Sequence, residues 1–132
     1  MPVVSLLATL VATVLGFALG ALWYGPLFGQ RWMEALGVTG EQIRQGFSPA
    51  KTYGATFALG LIAAYVFGLY LGPNPGRVFS IVAGAAAGFC WVGTALATNY
   101  LFERRPAALI AINAGYHGVR FTLIGLAFGL LG

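Results

Sequence analysis

Four apolar stretches, each more than 20 residues long, constrain this chain more than any other feature. They cover about residues 3–24, 49–71, 77–102 and 106–131. Each is long enough to cross roughly 30 Å of hydrocarbon as a helix. A helix suits lipid because its backbone N–H and C=O groups form hydrogen bonds within the same segment. Only 8% of the residues are charged, far fewer than in a soluble domain. We therefore predict an all-α integral membrane protein, a single domain of four transmembrane helices.

The breaks between these stretches consist of residues that begin, end or interrupt helices. Residues 72–76 include two prolines that cannot continue a helix, so they predict a tight turn. Residues 25–48 form the longer connection, in which Trp32 begins a short amphipathic pattern. Thr39 and Gln42 have the spacing of a capping box, which predicts a further short helix. We expect a short interfacial helix between the first and second spans.

The basic residues predict how the chain crosses the membrane. Five of the seven lie in or beside the two connections on one side, and Arg77 lies alone on the other. The five are Arg31, Arg44, Lys51, Arg104 and Arg105. Because cytoplasmic loops carry the excess of Lys and Arg, we predict that both termini lie outside. The cations are too scattered to form a nucleic-acid surface, so no such partner is expected.

Aromatic residues gather where the first stretch ends. Trp23, Tyr24 and, further on, Trp32 predict an aromatic belt at the membrane interface. Gly25 with Pro26 predicts the end of the first helix. The simplest interpretation is an elbow that fixes the angle between the first two spans. A docking surface for a partner is the alternative.

A polar stripe interrupts the fourth stretch and is the strongest candidate for a site. Asn113, His117 and Arg120 follow one another at spacings of four and three residues, so they share one face of a helix. Folding the chain at its turns brings three threonines to similar depths: Thr9, Thr13 and Thr94. Polar groups on one membrane face require a common explanation, so we predict a ligand site or pathway here.

Arg120 lacks an obvious counter-charge. A guanidinium stays charged, and a charge at this depth is costly unless it faces a bundle interior, water or a ligand. Of the three acids, Glu34, Glu41 and Glu103, all fall on the predicted cytoplasmic side, and the last is about 25 Å from Arg120 along a helix. Carbonyls, hydroxyls, a wet cleft, another subunit and an anionic ligand remain as partners. An arginine that only reaches a lipid headgroup is the structural alternative.

His117 does not by itself define a metal or cofactor site. A bis-histidine haem would need a second chain, and one cysteine allows no cysteine-based zinc site. No Ser-His-Asp set can be assembled from this sequence. We expect no metal, no cofactor and no hydrolytic catalysis, while proton relay by His117 stays open.

The end of the third stretch carries a smaller polar group. Asn99 precedes Glu103 by one helical turn, and Arg105 follows closely. These residues predict either an ordinary charged turn at the membrane surface or the cytoplasmic mouth of a path.

Small residues recur at four-residue spacing, which predicts close helix packing. Gly16 and Gly20 form a row in the first stretch, and Gly84 and Gly88 form one in the third. Packing inside one bundle is the simplest interpretation. Because four short helices enclose little interior, contact with a second copy is the alternative.

Two segments resemble the signatures of a known family. The first comprises residues 23–29 (WYGPLFG) and 31–33 (RWM), and the second comprises residues 99–105 and 112–117 (INAGYH). Together they resemble the small prokaryotic membrane proteins grouped as domain of unknown function 1761, over nearly the whole chain. The resemblance marks Trp23, Gly25, Pro26, Asn99, Glu103, Asn113 and Tyr116. It implies the four-helix architecture and a prokaryotic inner membrane, but no mechanism, because the family has no assigned activity.

Three function classes stay open from the sequence. An oligomeric permease or channel would line its path with the polar stripe and Tyr116, and would bind a small anionic solute. An accessory or assembly subunit of a larger membrane complex would explain the small-residue rows and the lack of large extramembrane parts. An intramembrane enzyme is third, because His117 is the one evident general base. The expected partners are the lipid bilayer and either further copies or a larger complex.

Overall fold

The computed structural model describes residues 4–132, which form four long helices and, within that range, no β-strand. These helices, named here the first to fourth spans, are Leu6–Leu27, Pro49–Leu71, Arg77–Phe102 and Ala107–Leu131. Each is long and apolar enough to cross a membrane. The predicted class, an all-α membrane protein with four spans, is confirmed.

The first span differs from its prediction at both ends. Residue 3, its predicted start, lies outside the described residues, and Ser5 caps the helix by accepting a 3.0 Å hydrogen bond from the backbone N–H three residues on. The α-helix Leu6–Leu22 then continues into a π-helical turn, Trp23–Leu27. Gly25–Pro26 therefore does not end the span. The wider turn accommodates a proline, which has no N–H for a regular α-helical bond.

Two short helices, Gly29–Leu36 and Gly40–Arg44, connect the first and second spans. The first ends at Gly37, whose φ of 76° is the left-handed conformation that suits glycine. Thr39 and Gln42 form the predicted capping box, in which each side chain accepts a hydrogen bond from the other residue's backbone N–H. The helix Gly29–Leu36 also contacts the fourth span, so the connection is part of the bundle.

The fourth span is the centre of the bundle. It packs against the third span and against the first, whereas the second span packs chiefly against the first. Leu109 and Ile124, both in the fourth span, are among the largest fully buried side chains of the described chain. A polar residue on the fourth span is therefore held between neighbouring helices rather than facing lipid on all sides.

Glycines bring the backbones of the third and fourth spans close together. A Cβ on Gly88 would lie 2.6 Å from the His117 carbonyl oxygen, and Gly84 and Gly125 likewise face backbone carbonyls of the opposite span. The row of Gly84 and Gly88 thus serves packing within one chain. The middle of the third span, Ala86–Gly93, is π-helical at this contact.

The outward surface is apolar around the bundle. Tyr70 is 82% exposed and Phe102 is 87% exposed, and large aliphatic side chains are exposed on every span. The second span is the least buried of the four. A surface of this kind suits a lipid environment, in which apolar side chains lose nothing by facing outward.

Candidate functional site

An asparagine on the fourth span joins three spans through two tyrosines. The Tyr24 hydroxyl donates a 2.6 Å hydrogen bond to Asn113 Oδ1, and Asn113 Nδ2 donates a 3.0 Å bond to the Tyr100 hydroxyl. Tyr24 belongs to the first span and Tyr100 to the third. We name these three residues the tyrosine–asparagine clasp. Both the oxygen and the nitrogen of the Asn113 amide are hydrogen-bonded, so Asn113 links its helix to two others.

The aromatic residues at the end of the first span pack beside the clasp. Trp23 Nε1 donates a 2.9 Å hydrogen bond to the Ile112 carbonyl oxygen. The centroid of the Tyr24 ring lies 5.3 Å from that of Tyr116 and 5.3 Å from that of Trp32, both in edge-on arrangements. The predicted interfacial motif therefore contacts the predicted polar stripe directly, since Trp23 and Tyr24 bind or pack against residues 112–116 of the fourth span.

Arg120 lies about two turns beyond Asn113, against a glycine of the first span. A Cβ on Gly16 would lie 3.1 Å from Arg120 Cγ and 3.2 Å from Cδ, so the glycine leaves room for the arginine stem. The Tyr116 hydroxyl donates a 3.0 Å hydrogen bond to the Gly16 carbonyl oxygen. The guanidinium carbon lies 4.8 Å from the centroid of the Phe121 ring, which is a cation–π distance.

Two buried polar atoms at this level have no hydrogen-bond partner among residues 4–132, namely His117 Nδ1 and Arg120 Nε. Within the same residues no carboxylate pairs with Arg120, and Glu103 pairs instead with Arg105. The third span is π-helical beside His117, and π-helical segments are frequent at functional sites. We name Gly16, Tyr116, His117 and Arg120 the arginine site.

The three threonines predicted at this depth do not join the stripe. Thr9 and Thr13 are buried in the first span, and each donates a 2.8 Å hydrogen bond to the carbonyl four residues earlier. Thr94 is exposed and donates a 2.6 Å bond to the Cys90 carbonyl. A threonine in a helix satisfies its hydroxyl on its own backbone, so equal depth gives these three no hydrogen bond to the stripe.

The predicted cytoplasmic mouth is only partly assembled. Arg105 Nε donates a 3.4 Å hydrogen bond to Glu103 Oε1 between two exposed side chains, and Asn99 is exposed as well. The residue that reaches the stripe from this end is Tyr100, which the sequence pattern did not single out. The sequence signal that could have identified Tyr100 is its hydroxyl, because a tyrosine buried in an apolar helix usually forms a hydrogen bond through its O–H.

These observations define a class: a four-span helical membrane protein whose spans are linked by polar and aromatic contacts onto the fourth. A family model described as Protein of unknown function (DUF1761) matches residues 7–129, nearly the whole chain. The chain belongs to that family, as the resemblance predicted. Neither a curated protein nor a solved structure matches the chain.

Proposed function

We propose that this protein is a subunit of an oligomeric permease or channel for a small anion, with Arg120 as the anion-binding residue. One observation supports this most strongly. The Arg120 side chain is half-buried in an apolar bundle, its buried Nε has no partner among the described residues, and none of their carboxylates pairs with it. A fixed charge in such a place calls for a partner of opposite sign. An anion supplies both the charge and the hydrogen-bond acceptors.

The neighbours of Arg120 have distinct roles in this proposal. His117 is one turn away and carries a buried Nδ1 without a partner among residues 4–132, so its ring can bind the same anion or carry a proton with it. The Tyr116 hydroxyl donates a hydrogen bond to the Gly16 carbonyl oxygen, so Tyr116 holds the first span against the site. Asn113 closes the inner end through the clasp, which must open for an anion to pass.

Anion flux into proteoliposomes tests the proposal. With a chloride-quenched dye inside the vesicles, the wild-type protein should give faster quenching than protein-free vesicles. Arg120→Met keeps a side chain against Gly16 but removes the charge, and it should lower the flux about tenfold or more, the size of a lost charge-assisted contact. Arg120→Lys should keep part of the flux. Arg77→Met, which removes an exposed arginine at the start of the third span, is the matched control and should keep it all.

Two results would contradict the proposal at different points. Equal flux for the wild type and Arg120→Met would remove the role given to Arg120. A wild-type flux no faster than that of protein-free vesicles, for chloride, formate and phosphate alike, would remove the permease itself.

An accessory subunit of a larger membrane complex is the second candidate, and the second span favours it. That span is the least buried of the four, and it exposes Leu59 and Ile62 in the middle of the membrane-spanning helix. A helix of another protein would cover this face. Purification in a mild detergent followed by mass spectrometry separates the two candidates: a stoichiometric second protein supports the accessory role, and a homogeneous homo-oligomer counts against it.

A further inference from the structure

A groove lies apart from the arginine site, beside the connection between the first two spans. Its volume is about 760 Å³, and it is bounded by the end of the first span, the helix Gly29–Leu36 and the start of the fourth span. This volume is within the usual range for a bound small molecule, roughly 300 to 1,000 Å³. The groove joins a membrane-spanning helix to an extramembrane helix, so an occupant would contact both.

One wall of the groove is apolar and built from small residues. Ala108, Ala111 and Gly115 line it from the fourth span, with Trp23 at its inner end. Spacings of three and four residues place the three on one helix face, about 10 Å long. A Cβ on Gly115 would lie 3.2 Å from Trp23 Cζ2, so the glycine lets the indole pack against the fourth span and close that end of the groove. A smooth apolar wall of this length matches an acyl chain rather than a polar solute.

The mouth of the groove carries one charge of each sign. Arg31 and Glu34 both line it, three residues apart on the helix Gly29–Leu36, so they share one face of that helix. Over residues 4–132 neither is ion-paired with the other, and both side chains are exposed. An arginine donates to phosphate oxygens, and a carboxylate accepts from an ammonium group. Two opposite charges held one turn apart thus complement a zwitterion.

We propose that this groove binds a phospholipid whose headgroup carries both a phosphate and a primary amine, as phosphatidylethanolamine does. Arg31 contacts the phosphate, Glu34 contacts the ammonium group, and one acyl chain lies along the wall formed by Ala108, Ala111 and Gly115. A purely anionic headgroup would place negative charge against Glu34, and diacylglycerol would leave both charges unused. The site does not rest on the proposed permease function, because it shares no residue with the arginine site.

Native mass spectrometry tests this assignment. The purified protein is incubated with equal concentrations of phosphatidylethanolamine, phosphatidylglycerol and diacylglycerol. The phosphatidylethanolamine adduct should exceed each of the others about threefold, the size expected from an exposed charge contact. Arg31→Ala and Glu34→Ala should each remove that preference. Glu41→Ala and Arg44→Ala should leave it unchanged, because these residues repeat the same charges and spacing on the helix Gly40–Arg44, outside the groove.

A steric variant tests the apolar wall separately from the charges. Ala111→Phe fills the groove without changing any charge, so it should lower the phosphatidylethanolamine adduct to the level of the other two lipids. Ala58→Phe, at an exposed position of the second span, is its control and should have no effect. Circular dichroism of each variant confirms that the helices form. Equal adducts of all three lipids on the wild type, a preference for phosphatidylglycerol, or an unchanged preference in both charge variants would overturn the proposal.

Discussion

At the scale of single residues, the threonines of this bundle bond to their own helix, whereas the tryptophan, tyrosine and asparagine side chains at the fourth span bond across to neighbouring helices. Asn113 is the clearest case of a bond across helices. Its amide oxygen accepts a hydrogen bond from a tyrosine hydroxyl of the first span, and its amide nitrogen donates one to a tyrosine hydroxyl of the third. In lipid, a donor or acceptor without a protein partner has no water to replace it. Interhelical hydrogen bonds in membrane proteins contribute about 0.6 kcal/mol on average and up to about 1.7. The clasp, with two such bonds, should therefore contribute measurably to stability.

We expect Asn113→Leu to lower the free energy of unfolding by about 1–3 kcal/mol, since it removes both bonds and leaves two tyrosine hydroxyls without partners. Tyr24→Phe and Tyr100→Phe each remove one bond and should cost less. Reversible unfolding by sodium dodecyl sulfate in mixed micelles measures all three. Tyr70→Phe, at an 82% exposed position, is the control and should stay within about 0.5 kcal/mol of wild type. Unchanged stability in Asn113→Leu would mean that the clasp contributes nothing.

The same residues mark the limit of prediction from the sequence. Helical spacing groups Asn113 with His117 and Arg120 without any structure, and counting three acids indicates that Arg120 lacks a carboxylate. Partners across helices depend on side-chain reach and on which helix lies alongside. Thr94 is the residue expected at the depth of the stripe, but it donates its hydroxyl to its own helix. The partner of Asn113 on the third span is instead Tyr100, whose longer side chain reaches it.

At the scale of helices, the interface between the third and fourth spans depends on glycine. A Cβ on Gly84 would overlap the Phe121 carbonyl, which belongs to a helix backbone and cannot turn aside. We expect Gly84→Ala to lower the free energy of unfolding by about 1–3 kcal/mol, as overpacking of a close contact does. Gly54→Ala is the matched control, because nothing lies within 4 Å of the added atom, and it should be neutral or slightly stabilising. Equal stability of the two variants would contradict this account of the interface.

Regular helices follow from local sequence signals, while irregular ones here do not. Ser48 and Pro49 at the start of the second span carry a local signal, with a side-chain cap and a proline in the first turn. At Pro26 the sequence signals a break, yet the helix runs through it as a π-helical turn because the rings of Trp23 and Tyr24 pack onto the fourth span. The π-helical segment Ala86–Gly93 contains no proline, so its own sequence does not predict a departure from the α-helix.

At the scale of the whole molecule, the fourth span carries three features, which fall in two regions along its length. The groove and the clasp lie toward its start, next to the connections that hold most of the basic residues, and the arginine site lies deeper. The groove is near Arg31 and Glu34, whereas Arg120 lies about five turns from the nearest acid of its helical hairpin, Glu103. The groove and the arginine site therefore have different surroundings. The orientation of the chain decides which leaflet of the membrane the groove faces.

The excess of basic residues predicts that residues 25–48 face the cytoplasm and that the turn 72–76 faces outward. Single cysteines test this in a Cys90→Ser background, which removes the chain's one natural cysteine. Gln45→Cys and Pro73→Cys replace exposed residues on opposite sides of the bundle. A membrane-impermeant maleimide added to intact cells should label Pro73→Cys at once and Gln45→Cys only after permeabilisation. The reverse pattern would contradict the predicted orientation, and the groove would then draw its phospholipid from the outer leaflet.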